Sequence, residues 1–243
     1  MKQGLKTMKI TLLTGKTFDI QEELGFDIKV VNSISSSKLS LHIDSKEHIP
    51  VLSVPKFCSR RRAVEFVNEN MGWIMTNMAK LPKPKEFTAG DKISLFGQEL
   101  IIKHLPQERG RVWKQNGCLC VSGGEEFLHR RIKDYIKEQA GKEFYEYTYR
   151  YAKIMGCKLT GVSIKDTKSR WGSCSSNKHI NYSWRIALAP DYVIQYLMAH
   201  EAAHLRHQDH SAEFWKCVEE LYAGWKQGHD WLKKYGKNLY AYK

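Results

Sequence analysis

The first half of the chain alternates between strand-like and helix-like hydrophobic patterns. Residues 26–31 and 39–43 alternate polar and apolar side chains, which is typical of half-buried strands. Ser59 then precedes apolar residues that recur every three or four positions as far as about Lys80, which predicts a helix with a serine cap. Pro82 cannot continue that helix, because it has no backbone N–H. This part of the chain is therefore predicted to be rich in β-structure, with one helix.

A hairpin and a long helix are predicted next. The Asn-Gly pair at 116–117 lies between two alternating segments, the strongest short-range signal for a β-hairpin. A Gly-Gly pair ends the pattern, and an apolar stripe at helical spacing then runs from about Glu125 to Gly156. We place the domain boundary at this change of pattern, which gives a β-rich region over residues 1–122 and a second domain over residues 123–243.

The carboxy-terminal region combines strand-like and helical patterns. Strands are predicted within residues 159–164, 170–174 and 180–188, and Pro190 stands at the favoured first position of the next helix. A further striped helix is predicted from about residue 212 to residue 225. The predicted fold class is α+β, with a β-rich amino-terminal part followed by a compact domain of a small sheet and several helices.

Composition and charge change this picture only in part. Hydrophobic residues make up 42% of the 243 positions, which is ample for a packed core. Lys and Arg outnumber Asp and Glu by 39 to 26, so the formal net charge is +13. Such an excess attracts polyanions, which makes a nucleic-acid-associated protein one hypothesis. No motif of a known nucleic-acid module accompanies the charge, and the arginines at 60–62 begin a predicted helix, so a solvated basic face is the alternative.

The cysteines and the apolar segments indicate in which cellular compartment the protein is expected. None of the six cysteines forms a Cys-x-x-Cys pair, so neither a zinc ribbon nor a thioredoxin motif is present. The amino terminus lacks the apolar centre of a signal peptide, and no apolar run is long enough for a membrane helix. We therefore expect a cytoplasmic protein with reduced cysteines and no membrane partner.

The most informative motif is His-Glu-x-x-His at residues 200–204. Because a helix has about 3.6 residues per turn, His200 and His204 lie one turn apart on the same face, where two imidazoles can bind one zinc ion. Glu201 stands beside them as a possible general base for a metal-activated water. Since this pattern also occurs by chance, the motif alone leaves a structural role for the histidines open.

A third protein ligand would make the site catalytic, because the fourth coordination position would stay open. His210 lies ten residues after His200, the spacing of the metzincin pattern, but no methionine turn follows because the last methionine is Met198. A thermolysin-like site would instead use Glu219 or Glu220. Both point away from the apolar stripe of their predicted helix, so His210 is the preferred third ligand.

Several further motifs resemble those of the YgjP-like metallopeptidases, which are relatives of the SprT and WLM zinc proteases. The matching residues, in chain order, are Ser169-Arg170-Trp171-Gly172-Ser173-Cys174-Ser175, Trp184-Arg185, Pro190, the His-Glu-x-x-His helix with Leu205, and His210-Ser211-x-x-Phe214-Trp215. The resemblance is strong over residues 125–235 and weak upstream. The chain departs from the family at Ala202, where leucine is usual, and at Ser183, where asparagine is common.

The resemblance implies a zincin-like catalytic domain with one Zn²⁺ on His200, His204 and His210. It also implies that Glu201 is the general base and acid of a peptidase that acts on protein or peptide substrates. Since SprT relatives act on DNA-bound proteins, a peptidase and a nucleic-acid-associated protein could be combined in one chain. A zinc hydrolase of a non-peptide amide is the other enzymatic alternative, and it would require a closed pocket.

Substrate binding and oxyanion stabilisation leave more than one possibility. The strand predicted near residues 170–175 could hold an extended peptide at its free edge, or Trp171 could be a core residue beside a bulge at Gly172. A peptidase also needs a hydrogen-bond donor for the tetrahedral oxyanion. The candidates are Tyr182, Arg185, Tyr192 and His207, and the sequence does not choose among them.

Overall fold

The computed structural model describes residues 10–11, 17–18, 26–33, 36–44, 47, 49–80, 82–167 and 170–242. The chain divides into two compact units, Met1–Pro82 and Lys83–Lys243. Both units mix helices with small sheets, so the predicted α+β class is confirmed. No helix within the described ranges is both long enough and apolar enough to cross a membrane.

Within its described residues, the first unit contains a three-stranded sheet, a two-stranded sheet and two helices. Its elements are β1 (Ile10–Thr11), β2 (Thr17–Phe18), β3 (Lys29–Ser33), β4 (Ser40–Asp44), β5 (Ile49–Pro55), α1 (Arg60–Glu69) and α2 (Met71–Ala79). Strand β5 is central, parallel to β3 and antiparallel to β4. Val30 and Leu52 of the sheet pack with Val67 and Ile74 of the helices in one apolar core.

The helix predicted after Ser59 is two helices. Ser59 caps α1 as predicted, since its side chain accepts a hydrogen bond from the backbone N–H of Arg62. The helical path is interrupted at Asn70, where φ is −104° and ψ is 11°. The Asn70 side-chain amide donates to the carbonyl of Phe66 over 2.8 Å, so this residue satisfies the end of α1 by local hydrogen bonding. A periodicity of apolar residues cannot show such a break, because it continues across it.

The second unit begins with a four-stranded sheet. Its strands are β6 (Lys92–Leu95), β7 (Gln98–His104), β8 (Val112–Gln115) and β9 (Cys118–Val121), in the spatial order β6-β7-β9-β8. The predicted hairpin at 116–117 is confirmed between β8 and β9. Asn116 and Gly117 have φ of 49° and 73°, the pair of positive angles that a tight two-residue hairpin turn requires.

A long helix and a second sheet follow. A 3-10 segment, Glu125–Phe127, leads into α3 (Leu128–Ile154), whose buried face includes Ile132, Ile136 and Phe144. Strands β10 (Gly161–Lys165), β11 (Gly172–Cys174) and β12 (His179–Ser183) form a sheet in the order β10-β12-β11. Strand β12 is central, parallel to β10 and antiparallel to β11. Strand β11 is therefore an edge of this sheet.

The strand predicted over residues 180–188 is wrong in its second half. Strand β12 ends at Ser183, and the 3-10 segment Trp184–Leu188 replaces the rest. All five residues of this segment are buried, including Arg185, so no polar–apolar alternation marks where the strand ends. Periodicity cannot distinguish a fully buried strand from a buried helical turn.

Three helices and a 3-10 segment complete the unit: α4 (Asp191–Ala203), α5 (Ala212–Leu221), α6 (Trp225–Tyr235) and Gly236–Ala241. Helix α4 follows Pro190 as predicted. The helix predicted to reach residue 225 ends at Leu221 instead, and Trp225 is the first residue of α6.

The division between the two units lies at residues 82–83, whereas the sequence pattern placed it at 122–123. Strands β6–β9 belong to the second unit because their apolar face packs in the same core as α3. Leu100, Ile102 and Leu119 from this sheet share that core with Ile132 and Phe144. A change of local pattern marks a change of secondary structure, but a core can include both types of element.

Candidate metal centre and active site

Helix α4 carries two of the three histidines and is anchored in the core along most of its length. Val193, Leu197 and Ala202 are among its nine buried residues. The helix ends at His204, as a turn towards a third ligand requires. The backbone N–H groups of Leu205 and His207 then bond to the last turn of the helix. This tight turn begins the short loop that carries His210.

The three histidines converge. His200, His204 and His210 each offer one ring nitrogen, and these atoms lie within 4.8 Å of one another. The Nε2 atoms of His200 and His210 are 3.3 Å apart. Two nitrogens that each lie about 2.0–2.1 Å from a tetrahedral zinc are separated by about 3.3 Å, so this spacing is that of two ligands of one zinc. The donor set and its spacing fit zinc.

One ligand is oriented by a hydrogen bond from its second ring nitrogen. The Nδ1 atom of His204 lies 2.9 Å from the backbone carbonyl oxygen of His207, so Nδ1 carries the proton and donates it. That bond fixes the tautomer and leaves the lone pair of Nε2 for a metal. His207 thus contributes to the site through its backbone carbonyl. The sequence analysis considered only its side chain and missed this contact.

Aromatic packing holds the histidine rings. The ring of Phe214 is buried, and its centroid lies 4.9, 4.5 and 4.7 Å from those of His200, His204 and His210. Trp215 contacts His200 and His210 from another side. Both residues come from α5, which explains how the Phe-Trp pair supports the site without providing a ligand.

The two imidazoles on α4 are held in the neutral form that metal binding requires. Burial, together with the neighbouring histidines, lowers the pKa of His200 to about 3. Burial also lowers the pKa of His204 below its ordinary value. A neutral imidazole needs no proton removed before it binds a cation. The site is therefore prepared for a metal at neutral pH.

Glu201 lies under the edge strand β11. Its side chain is buried, and burial raises its pKa to about 8, while the charge of Arg170 acts in the opposite direction. Gly172 of β11 lies directly against it. A methyl group added at Gly172 would come closer than 3.0 Å to the Cγ, Cδ and Oε1 atoms of Glu201. The strand can approach the carboxyl this closely only because residue 172 has no side chain.

An open cavity of about 290 Å³ lies over these groups. The residues that line it are Arg170, Gly172, Ser173, Cys174, His200, Glu201, His204, Gln208 and His210. The ligand histidines, the carboxyl and the edge strand thus share one cavity. Arg170 belongs to the motif and to the predicted edge strand, but the sequence analysis gave its side chain no role, and it did not single out Gln208. Neither the residue before an edge strand nor the loop after a helix carries a sequence pattern that shows whether its side chain faces a cavity.

The four predicted oxyanion donors do not line this cavity. Arg185 is fully buried and forms an ion pair with Asp166, and Tyr182 is fully buried with its hydroxyl bonded to Thr148. Tyr192 is half-buried against the core. Tyr182 and Arg185 are therefore core residues, and their polar groups are used within the core.

Two other sets of described residues considered in the sequence analysis do not supply metal ligands. Glu219 and Glu220 are exposed on α5 and do not belong to the histidine cluster. Ser169, the first residue of the recognised motif, lies outside the described residues. Trp171 is half-buried and stacks on Tyr240, so it is a packing residue, whereas the neighbouring β11 remains an edge strand.

A helix with His-Glu-x-x-His, a third converging histidine and an open cavity are together typical of metal-dependent hydrolases. The model of the YgjP-like family, described as a metallopeptidase domain, matches residues 37–235, which include parts of both units. The chain therefore belongs to the YgjP-like metallopeptidase family, and the predicted resemblance is confirmed.

A search of curated proteins gave no match. Among solved structures, the crystal structure of the metallopeptidase zymogen of Pyrococcus abyssi abylysin is similar, with 23% identity and a TM-score of 0.35. That similarity covers 38% of this chain and 95% of the abylysin chain.

Proposed function

We propose that this protein is a zinc-dependent peptidase in which His200, His204 and His210 bind the metal and Glu201 is the general base and acid. The observation that carries the proposal is the convergence of the three imidazoles beside a buried carboxyl. The family supports the reaction, since its domain is that of a metallopeptidase.

The donor set supports zinc as the metal. Imidazole nitrogens suit zinc, and three protein ligands leave the fourth position open, as in catalytic zinc sites. Zinc bound there would polarise the scissile carbonyl and lower the pKa of an attached water to near 7. His200 and His204 would hold it from α4, and His210 from the loop that follows.

The position of Glu201 beside the histidines suits a group that transfers protons. It follows His200 on the same helix, and its carboxyl lies on the floor of the cavity under β11. It would accept the proton of the attacking water and donate a proton to the leaving amine. Its burial keeps bulk water from competing for that proton.

The free edge of β11 is the proposed binding surface for the substrate backbone. Strand β11 pairs with β12 on one side only, and its residues Gly172 to Cys174 line the same cavity as the histidines. An extended peptide that added to this edge would lie across the metal site. The cavity is bordered by exposed Arg170, Gln208 and His210, which favours such a peptide over a small amide in a closed pocket.

The experiment that tests the function combines metal analysis with a broad peptide library. The purified protein should contain about one zinc per chain and cleave some of the peptides, and a chelator should stop the cleavage. In Glu201→Gln the zinc should remain while the cleavage rate falls at least about a hundredfold, because general acid–base catalysis contributes that much or more. Cleavage by Glu201→Gln at the unaltered rate would rule out the role of Glu201.

A further inference from the structure

The charge at the rim of the cavity is unbalanced. Among the described residues that line the cavity, Arg170 has a permanent positive charge, and Glu201 is the acidic residue. The two are not in contact as an ion pair, although Arg170 is near enough to affect the carboxyl electrostatically. With zinc bound, the cavity would be more positive still.

The guanidinium of Arg170 is exposed, and no described residue forms a hydrogen bond or ion pair with it. Two exposed arginines of the first unit differ: Arg61 and Arg62 are each paired with a glutamate on the same helix. Those pairs keep the side chains along the helix surface. Arg170 therefore keeps its five N–H donors for a group from outside the chain.

The backbone carbonyls of Arg170 and of the residue after it are held by hydrogen bonds. The carbonyl of Arg170 accepts a hydrogen bond of 2.6 Å from the hydroxyl of Thr167. The carbonyl of the next residue, Trp171, accepts one of 2.8 Å from the backbone N–H of Ser183. The exposed guanidinium is thus attached to a fixed position at the beginning of the edge strand. An unpaired guanidinium on an anchored backbone is suited to bind a carboxylate through two parallel hydrogen bonds.

The position of Arg170, two residues before β11, indicates which part of a substrate would meet its side chain. Gly172 lies against Glu201, and Arg170 precedes it by two residues. At about 3.3 Å per residue of an extended chain, the Cα atom of Arg170 lies at most about 7 Å along the chain from that of Gly172. That distance corresponds to a substrate side chain about two residues from the scissile bond.

We propose that Arg170 is a specificity residue that selects peptides with an acidic side chain about two residues from the bond that is cut. The inference rests on the proposed peptidase function and names its substrate class. Acidic peptides would be favoured through the ion pair with the guanidinium, and lysine-containing peptides would be repelled at the same position. The role of Arg170 would be in binding rather than in proton transfer.

The test uses a peptide that the protein cleaves, with Glu, Gln or Lys placed in turn at each of the positions near the scissile bond. The intact protein should prefer Glu over Gln about threefold to tenfold in kcat/KM at one position, since a partly exposed charge pair contributes a modest amount. Arg170→Gln should remove that preference with unchanged zinc content, and Arg170→Lys should keep part of it. Arg109→Gln is the matched control, because Arg109 is exposed in the β7–β8 connection and does not line the cavity.

Two results would overturn the inference. One is the absence of any preference for Glu in the intact protein, which would leave the peptidase function standing. The other is an equal loss of kcat for all peptides in Arg170→Gln, which would assign the arginine to catalysis instead. High salt should also weaken the preference, because it screens exposed charges.

A binding measurement separates this inference from the proposed function. Labelled Glu and Gln peptides would be titrated with chelator-treated protein and followed by fluorescence anisotropy. The Glu peptide should bind more tightly to the unaltered protein and equally to Arg170→Gln. If no peptide is cleaved but this difference is found, the inference holds and the peptidase function fails. If both peptides bind alike in the unaltered protein, the inference fails whatever the activity.

Discussion

The ring of Tyr240 stacks on the ring of Trp171, with centroids 4.4 Å apart and planes inclined by 27°. Tyr240 belongs to the last 3-10 segment of the chain, and Trp171 immediately precedes the edge strand β11. Arg185 strengthens this attachment: its guanidinium lies 5.7 Å from the Tyr240 ring, and its Nε donates to the carbonyl of Tyr242. The end of the chain thus supports the strand that covers Glu201.

We expect Tyr240→Ala to reduce stability and activity while leaving the three histidines able to bind zinc. Loss of a buried aromatic ring costs about 3 kcal/mol, and the strand at Trp171 would lose its support. Thermal unfolding, zinc content and kcat would be measured together. Tyr240→Phe is the control, because it keeps the stacked ring and should behave almost like the unaltered protein. Equal damage by both variants would contradict a role for ring stacking.

A methyl group at residue 172 should lower activity without removing the metal. In Gly172→Ala the new group would collide with the Glu201 side chain and displace the strand or the carboxyl. A shift of about 1 Å in a catalytic group can cost about a hundredfold in rate. Peptide cleavage and zinc content of the purified variant would be compared with those of the unaltered protein.

Gly141→Ala is the matched control for that experiment. This glycine lies inside α3, and an added methyl would make only an ordinary contact with Ile164, 3.8 Å away. Since alanine favours a helix over glycine, the free energy of unfolding should rise by about 0.5–1 kcal/mol with activity unchanged. An active, zinc-containing Gly172→Ala protein would contradict the proposed close packing over Glu201.

The third ligand can be tested by metal binding alone. We expect His210→Ala to lower zinc affinity by at least about tenfold, since one of three protein ligands is lost. Glu219→Ala and Glu220→Ala should bind zinc normally, because both side chains are exposed outside the histidine cluster. Competition with a zinc-binding dye would measure all three. Zinc loss in a glutamate variant, with retention in His210→Ala, would reverse the assignment.

The net charge of +13 predicts weak, non-specific attraction to DNA. Binding measured by anisotropy at low salt should fall steeply as salt is raised, because phosphate contacts release counterions. Binding that persists at physiological salt would instead support the nucleic-acid-associated alternative. The zinc-free protein should bind in the same way, since the charge belongs to the chain.

The sequence by itself determined the local features whose cause is local. The turn at Asn116-Gly117, the serine cap at Ser59 and the single helical face shared by His200 and His204 were all predicted correctly. Each depends on backbone preferences or on a fixed periodicity within a few residues. The family motifs add order along the chain, and the family assignment follows from them.

The tertiary structure alone decided the features that depend on distant residues. The buried segment after Ser183 became a 3-10 turn because the core surrounds it, and Arg185 became a core cation because Asp166 and Tyr242 meet it there. The approach of Gly172 to Glu201 joins two elements that are far apart in sequence. Packing selects such contacts by shape and by the need to pair buried charges, and neither is encoded in a short stretch of residues.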